Sequence, residues 1–309
     1  MSRKGWLLFG AMGVIWGVPY LFIKIAVEGM SPASVVFFRC LLAALLLLPI
    51  AIARGQLRAL LPHWKALLAF TAVEIAVPWF LLSSAEQRLS SSLAGLLIAG
   101  VPLVAAILGW MTGGEKLGSR RLLGLGVGLA GVAALVGLDL TADDTWALVQ
   151  MAIVVVGYAV GPFILNRNLA GVPGLPVMAV SLGLSALVWA PAGSTQLPAT
   201  MPGTDVVVSV IVLAVLCTAI ALVAFTALIA EVGPVRAPVI TYVNPAVAVV
   251  LGILILDEPF TAGIALGFAL VLAGSVLATQ RSGKQPPSAL PDQQGVGQGV
   301  QPAPVASSE

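Results

Sequence analysis

The stretch Thr241-Tyr242-Val243-Asn244-Pro245, running on through an apolar segment to Asp257-Glu258-Pro259, occurs twice in this chain. Moving back by 143 positions (245 − 102) places Pro245 on Pro102, Gly252 on Gly109, Glu258 on Glu115, Gly267 on Gly124 and Gly274 on Gly131. No gap is needed anywhere between residues 91–136 and 234–279. Aliphatic matches come cheaply in apolar sequence. A proline, a glutamate and three glycines in one register do not, and the chain is read as a duplicated unit.

What the unit folds into follows from solvent. Hydrophobic residues make up 59% of the chain, charged residues 9%, and the mean hydropathy is +1.06. A soluble domain carries about a quarter charged residues. Apolar runs of about 20 residues, each able to cross about 30 Å of hydrocarbon, fill nearly everything up to Gln280. A membrane barrel would instead show short alternating segments. Cys40 and Cys217 both lie inside apolar runs, so no disulfide framework is implied. His63 is the only histidine, which removes multi-histidine metal sites, and no cofactor or metal is expected. The first apolar run, from Gly5 to about Val27, is too long for a signal peptide and offers no small-residue cleavage site, so it is read as an uncleaved first helix.

The sequence predicts ten transmembrane helices at roughly 6–27, 33–53, 64–83, 91–112, 119–138, 145–166, 174–193, 205–229, 235–256 and 260–280, in an all-α polytopic membrane protein. Residues 282–309 are rich in Pro, Gln, Gly and Ser and read as a disordered cytoplasmic tail. With the N-terminus inside, twelve cationic residues fall on the inner side: Arg3, Lys4, Arg54, Arg58, Lys65, Lys116, Arg120, Arg121, Arg167, Arg236, Arg281 and Lys284. Two, Lys24 and Arg88, fall outside, and Arg39 lies within a helix. That split obeys the positive-inside rule, so both termini are placed in the cytoplasm and the protein in the plasma (inner) membrane. The repeats are then 1–140 and 141–281, five helices each. Five is odd, so the second copy enters the membrane upside down. Inverted repeats of this kind are a transporter architecture, with substrate near the midplane and two similar-energy states open to opposite sides.

Trp16-Gly17 with Tyr20, Phe38-Arg39, and Ser91-Ser92-Leu93-Ala94 leading to Pro102 form one half of a pattern. Gly233-Pro234-Val235-Arg236-Ala237 leading to Asn244-Pro245 forms the other, closed by Gly114-Glu115 and Asp257-Glu258-Pro259. Over residues 5–280 the chain resembles the EamA family of the drug/metabolite transporter superfamily. The resemblance implies a ten-helix bundle of inverted repeats that carries small metabolites. In the sixth helix the pattern departs: Tyr158 stands roughly where Trp16 does, without a Trp-Gly pair.

The ionisable residues inside helices cost several kcal/mol to insert and therefore point to a function or a partner. Glu74 lies about 15 Å from the inner end of the third helix, near the midplane, and Arg39 about 9 Å below the outer surface, with Lys24 at a similar level. These three are read as sharing one water-filled cavity. Glu74 is the candidate for coupling, and Arg39 reads as a structural anchor or a cavity charge. Trp16, Tyr20, Trp79, Tyr158 and Tyr242 sit at depths where they could stack on a substrate or simply pack. Trp6, Trp64 and Trp146 at helix starts read as interfacial anchors. Pro102 and Pro245 are placed in mid-helix, as kinks beside the cavity or as purely structural bends, with Thr241 and Asn244 offering polar groups there. Glu115 and Glu258 are read as caps on the helices that follow them.

The run Gly126-Val127-Gly128-Leu129-Ala130-Gly131 matches a dinucleotide fingerprint, but it sits in an apolar helix with no preceding strand, so nucleotide binding is set aside. Its spacing suits close helix packing, within the fold or in a homodimer through the glycine-rich fifth and tenth helices. Three functions compete. A secondary transporter, more exporter than importer, of amino acids or related metabolites uses every feature above. A membrane-embedded enzyme would need motifs that are missing: HExxH, paired aspartate-rich segments or an embedded Ser/His pair. A non-transporting membrane subunit would have no use for midplane charges. No Walker motif points to ATP, and nothing in the sequence points to nucleic acid; the expected partners are a small-molecule substrate and the lipid bilayer.

Overall fold

The computed structural model describes residues 2–112, 118–139, 144–232 and 237–279. It is all-helical, with no strand among the described residues. The first rod consists of α1 (Arg3–Gly17) and α2 (Pro19–Gly29), broken at Val18 because Pro19 has no amide hydrogen to continue the ladder. α3 (Pro32–Ala53) follows. The third rod starts as a 3-10 segment (Gln56–His63), becomes α4 (Trp64–Phe70), passes through a π-helical turn (Thr71–Ala76) and ends as α5 (Val77–Ala85). α6 (Ser91–Ile98) and α7 (Val101–Met111) form the fourth, and α8 (Ser119–Asp139) the fifth. α9 (Thr145–Asn168) and α10 (Gly174–Thr195) are continuous. α11 (Thr204–Ala214), a second π-helical turn (Val215–Ile220) and α12 (Ala221–Val232) make the next rod. A 3-10 segment (Ala237–Tyr242), α13 (Asn244–Leu256) and α14 (Ala262–Thr279) complete it.

Helix starts are set by short polar side chains, which satisfy amides that have no intrahelical partner. Ser2 Oγ accepts from Gly5 N (2.9 Å), Ser31 Oγ from Ser34 N (3.2 Å), Ser90 Oγ from Leu93 N (3.2 Å) and Thr261 Oγ1 from Ile264 N (3.0 Å). Among the described residues, seven helices are long and apolar enough to cross a membrane: Arg3–Gly29, Pro32–Ala53, Gln56–Ala85, Ser91–Met111, Thr145–Asn168, Gly174–Thr195 and Thr204–Glu231. Shorter apolar helices span Ile240–Leu256 and Ala262–Ala278. Leu45, Leu46, Leu68, Leu187, Val188 and Leu254 are all exposed, a surface that water would not tolerate and lipid does. Trp6, Trp64 and Trp146 are also exposed, each in the first turns of its rod or α-helix.

Pro102 and Pro245 are not in helix interiors. Each occupies the second position of a new helix, α7 and α13, after the chain has bent at Ala99-Gly100 and Val243 respectively. There the missing amide hydrogen costs nothing, since first-turn amides have no partner inside the helix. The duplicated proline thus marks a break between two helical segments, and the break itself frees the carbonyl of Ala99.

α8 packs along α14, α3 along α10, α2 along α11, α5 along α9 and α6 along α13. The α8–α14 contact consumes the glycines. A Cβ on Gly124 would meet Ala278 N and Gly274 O, and one on Gly131 would meet Val271 N. A Cβ on Gly274 would strike the backbone of Gly128 and Gly124 O. Gly124, Gly131 and Gly274 are therefore consumed by the contact between two helices of one chain.

Because the atoms around Gly274 are backbone, they cannot rotate aside. Gly274→Ala is expected to cost about 1–3 kcal/mol and to lower the melting temperature of the detergent-solubilised protein. Gly126→Ala, which meets nothing within 4 Å, is expected to leave it unchanged or slightly raised.

Candidate functional site

The two π-helical turns are the first clue to the site. One lies at Thr71–Ala76 and the other at Val215–Ile220, 144 residues on (215 − 71). A π turn slips the hydrogen-bond ladder by one residue and leaves backbone groups that hydrocarbon cannot solvate. Side chains take them up. The Thr71 hydroxyl donates to Leu67 O (2.8 Å) and lies 2.8 Å from Ser181 Oγ. Trp189 Nε1 donates to Ala76 O (2.9 Å), its ring stacked on Phe80 with centroids 4.1 Å apart. In the second turn the Thr218 hydroxyl donates to Leu213 O (2.8 Å).

Having given its proton to Leu213, Thr218 Oγ1 has lone pairs left, and it accepts from Arg39 Nε at 3.2 Å. Arg39, on α3, is 7% exposed. Its guanidinium lies over the Trp79 ring, 3.6 Å from the centroid. A desolvated cation on an indole face gains about 2 kcal/mol or more, which offsets part of the cost of burial. Among the described residues this guanidinium has one hydrogen bond and no acidic ion-pair partner. It joins the first half of the chain, through α3 and α5, to the second, through the Thr218 turn.

Glu74 sits in the first π turn, at the position that matches Thr218 (218 − 74 = 144). Its Oε2 is buried without a hydrogen-bond partner. Gly161 on α9 leaves the room for it, since a Cβ there would collide with the carboxyl group. Tyr158, one turn before Gly161, is near enough to both Glu74 and Arg39 to feel their charges. Tyr20, 6% exposed on α2, lies within the fields of Tyr158 and Arg39. Tyr20, Arg39, Glu74, Trp79 and Tyr158 thus come together as one central polar cluster.

The remaining sequence candidates do not join it. Trp16 packs on Phe225 (centroids 4.7 Å apart) in an apolar cluster with Met12, Leu228 and Ile240. The Tyr242 hydroxyl donates to Ser275 O (3.2 Å), and Ser275 Oγ donates to Ala99 O (2.9 Å), the carbonyl freed at the first break. The Asn244 side chain faces the carbonyls of Gly13 and Ile240; with its amide nitrogen turned toward them it donates to both (3.1 and 3.0 Å) and pins the start of α13 to α1. Thr241 is half-buried in the turn before it. Lys24 is not in the central cluster either: its ammonium donates to Glu86 O (2.7 Å) and Leu89 O (3.0 Å). An apolar groove of about 380 Å³ between α3 and α10, lined by Phe37, Leu41, Leu45 and Leu187 among others, opens on the exposed apolar side and contains no recognition chemistry for a polar ligand.

Glu258 caps a helix, but not the one that follows it. α13 ends on Asp257 in the left-handed region (φ 53°), where an aspartate is tolerated better than most residues, and Glu258 N donates back to Gly252 O (3.1 Å). This turn swings the Glu258 carboxylate onto the start of α6, where it accepts from Ser91 N (2.7 Å), Ser92 N (3.0 Å) and the Ser92 hydroxyl. A Cβ at Gly252 would occupy the same space. Glu115 and Arg236 lie outside the described residues.

An all-helical chain with an apolar outer surface and charged groups gathered at its centre is a multi-pass membrane protein built to hold polar chemistry inside a bilayer. The profile of the EamA-like transporter family matches residues 3–137 and again 145–280, and the chain belongs to that family. It is similar to the uncharacterized inner membrane transporter YedA of Escherichia coli (strain K12), 30% identical over 254 residues that cover 79% of this chain and 81% of the relative. A probable amino-acid metabolite efflux pump from the same organism is 24% identical over 294 residues, covering 89% and 94%. The uncharacterized transporter YvbV of Bacillus subtilis (strain 168) is 21% identical over 287 residues, covering 92% and 94%. A crystal structure with a TM-score of 0.66 covers 90% of this chain and 98% of its own at 21% identity, and shares the fold.

Thr218→Val keeps the side-chain shape and removes the acceptor for Arg39 Nε. Leaving that donor unpaired in a dry site is expected to cost about 1–3 kcal/mol, read as a lower melting temperature, while Thr218→Ser is expected to stay close to the parent.

Proposed function

We propose that this chain is a secondary transporter of small polar metabolites, with amino acids and related compounds first, working as an exporter by alternating access between inverted five-helix repeats. α8 and the two shorter apolar helices are read as three crossings beside the seven long ones, giving ten, with both termini cytoplasmic. The observation that carries the reading is the central guanidinium of Arg39, buried between the two halves on an aromatic face with a single hydrogen bond. Such a group is an anchor for a substrate carboxylate, since no acidic side chain among the described residues forms an ion pair with it. Glu74, with a buried carboxyl oxygen left unpaired, is placed to meet the cationic end of a zwitterion and to couple its passage to a proton. The relative named as a probable amino-acid metabolite efflux pump supports the same class. The transporter names of the relatives stand against the enzyme reading.

The test is a thermal-shift panel of L-amino acids and their deaminated and decarboxylated analogues on the purified protein. A ligand that binds only the folded state raises its stability by mass action. Compounds with a free carboxylate are expected to raise the melting temperature of the parent and not of Arg39→Gln. Equal shifts in Arg39→Gln would remove Arg39 from the site. In proteoliposomes loaded with the compound so found, Glu74→Gln is expected to abolish movement driven by a pH gradient while sparing counterflow exchange. An unchanged response would make Glu74 structural.

A further inference from the structure

A second buried acid lies within the fields of Tyr20, Arg39 and Tyr158 and is hydrogen-bonded to none of them. Glu86 follows α5 directly and is 0% exposed, and neither of its carboxyl oxygens has a hydrogen-bond partner. The nearby ammonium of Lys24 does not reach it, being spent on the main-chain carbonyls of Glu86 and Leu89 (2.7 and 3.0 Å). A carboxylate in that position would have lost its water and gained no donor, which costs several kcal/mol; a neutral carboxyl avoids most of that cost.

The surroundings explain how the group is kept dry. The chain from Glu86 to Ser92 turns from the end of α5 into the start of α6 and is gripped at both ends. Lys24 from α2 holds the carbonyls of Glu86 and Leu89 just past the end of α5, and Glu258 from beyond α13 holds the first amides of α6. Each charge meets the helix pole of opposite sign. Ser91 Oγ, in the same turn, is also buried and unpaired.

We propose that Glu86 is a proton-binding site, sealed from water by the turn that Lys24 and Glu258 hold shut, and that opening this turn releases the proton. The charged and titratable groups whose fields reach it are Lys24 and Tyr20 from α2, Arg39 from α3, Tyr158 from α9 and Glu258 after α13. Burial dominates and raises the carboxyl well above the usual carboxylate range; Lys24 and Arg39 pull it down and Glu258 pushes it up. Its role in transport rests on the function proposed above, which puts this turn on the outer face: the site would load when the turn is open to acid and discharge when it opens to a neutral exterior. The proton site itself stands or falls without any substrate.

The experiment is infrared difference spectroscopy on the full chain in lipid nanodiscs, titrated with pH. Glu74 is another buried acid, so the band is read in a Glu74→Gln background: a protonated-carboxyl band is expected there at neutral pH and is expected to be lost when Glu86→Gln is added; the same band with and without Glu86→Gln would overturn the proposal. Lys24→Met separates the seal from simple electrostatics and serves also if Glu86→Gln does not fold. Removing a cation alone would make the Glu86 carboxyl harder to ionise and move its titration midpoint up. Unsealing the turn lets water reach it and moves the midpoint down, and we expect a fall of about one pH unit or more. A rise, or no change, would overturn the seal. Since no transported compound is present, a failure here leaves the transport reading to its own ligand test.

Discussion

A guanidinium inside a membrane-spanning helix has to be accommodated by protein, and the centre of this structure is the accommodation of Arg39. An indole face, one threonine hydroxyl and the field of two tyrosines surround it. The threonine is available only because the helix around it runs through a π turn, which sends its proton to Leu213 and leaves its oxygen free to accept. The matching turn in the first half places Glu74 at the equivalent position. One distortion, used twice, supplies an acceptor for a cation on one side and an unpaired acid on the other.

Toward one end of the bundle the same economy appears in helix termini. α6 begins with amides that lipid would leave unsatisfied, and the acid that satisfies them comes from the other half of the chain. Gly252 and the left-handed Asp257 exist in service of that reach, one by leaving space and the other by turning the chain. A cap made between halves differs from a cap made within a helix, because it breaks when the halves part. Lys24 holds the preceding carbonyls from a third helix, so the turn it shares with Glu258 joins three parts of the protein.

Much of this was legible in the sequence, and the reasons are particular. The duplicated Pro, Glu and Gly register showed a repeat, composition showed the membrane, and the family was recognised by resemblance, through motifs such as Trp16-Gly17, Phe38-Arg39 and Asn244-Pro245. Counting helical rises read Arg39, Glu74 and Lys24 as charges of one cavity and Trp16, Tyr20, Trp79, Tyr158 and Tyr242 as aromatics at compatible depths; the fold brings Tyr20, Arg39, Glu74, Trp79 and Tyr158 together. Lys24, Trp16 and Tyr242, read from depth, and Thr241 and Asn244, read from the proline kink, lie apart from that cluster, since neither depth nor a kink says which face of a helix a side chain occupies. Tyr242 donates to Ser275 O on α14 while Ser275 itself takes up the Ala99 carbonyl, and the Asn244 amide, oriented with its nitrogen toward them, meets Gly13 O on α1 and Ile240 O just before α13. Thr218 was missed because a π turn has no residue signature. Glu86 was missed because Ser83-Ser84-Ala85-Glu86-Gln87-Arg88 reads as a polar loop, and only the fold shows Gln87 and Arg88 exposed while Glu86 is buried. Glu258 was read as a local cap because its true target lies 166 residues away.

The claim on which the account turns is that the second half of the chain lies in the membrane opposite to the first. Ser119 and Ala262, 143 residues apart (262 − 119), open the equivalent helices α8 and α14, and both are exposed. Single cysteines at these two positions, in a background without the buried Cys40 and Cys217, report the orientation directly through an impermeant thiol reagent applied to right-side-out vesicles. The account predicts that the cysteine replacing Ala262 labels from outside and the one replacing Ser119 only after the vesicles are opened. Labelling of both from the same side would contradict the inverted repeat, and with it alternating access between equivalent halves.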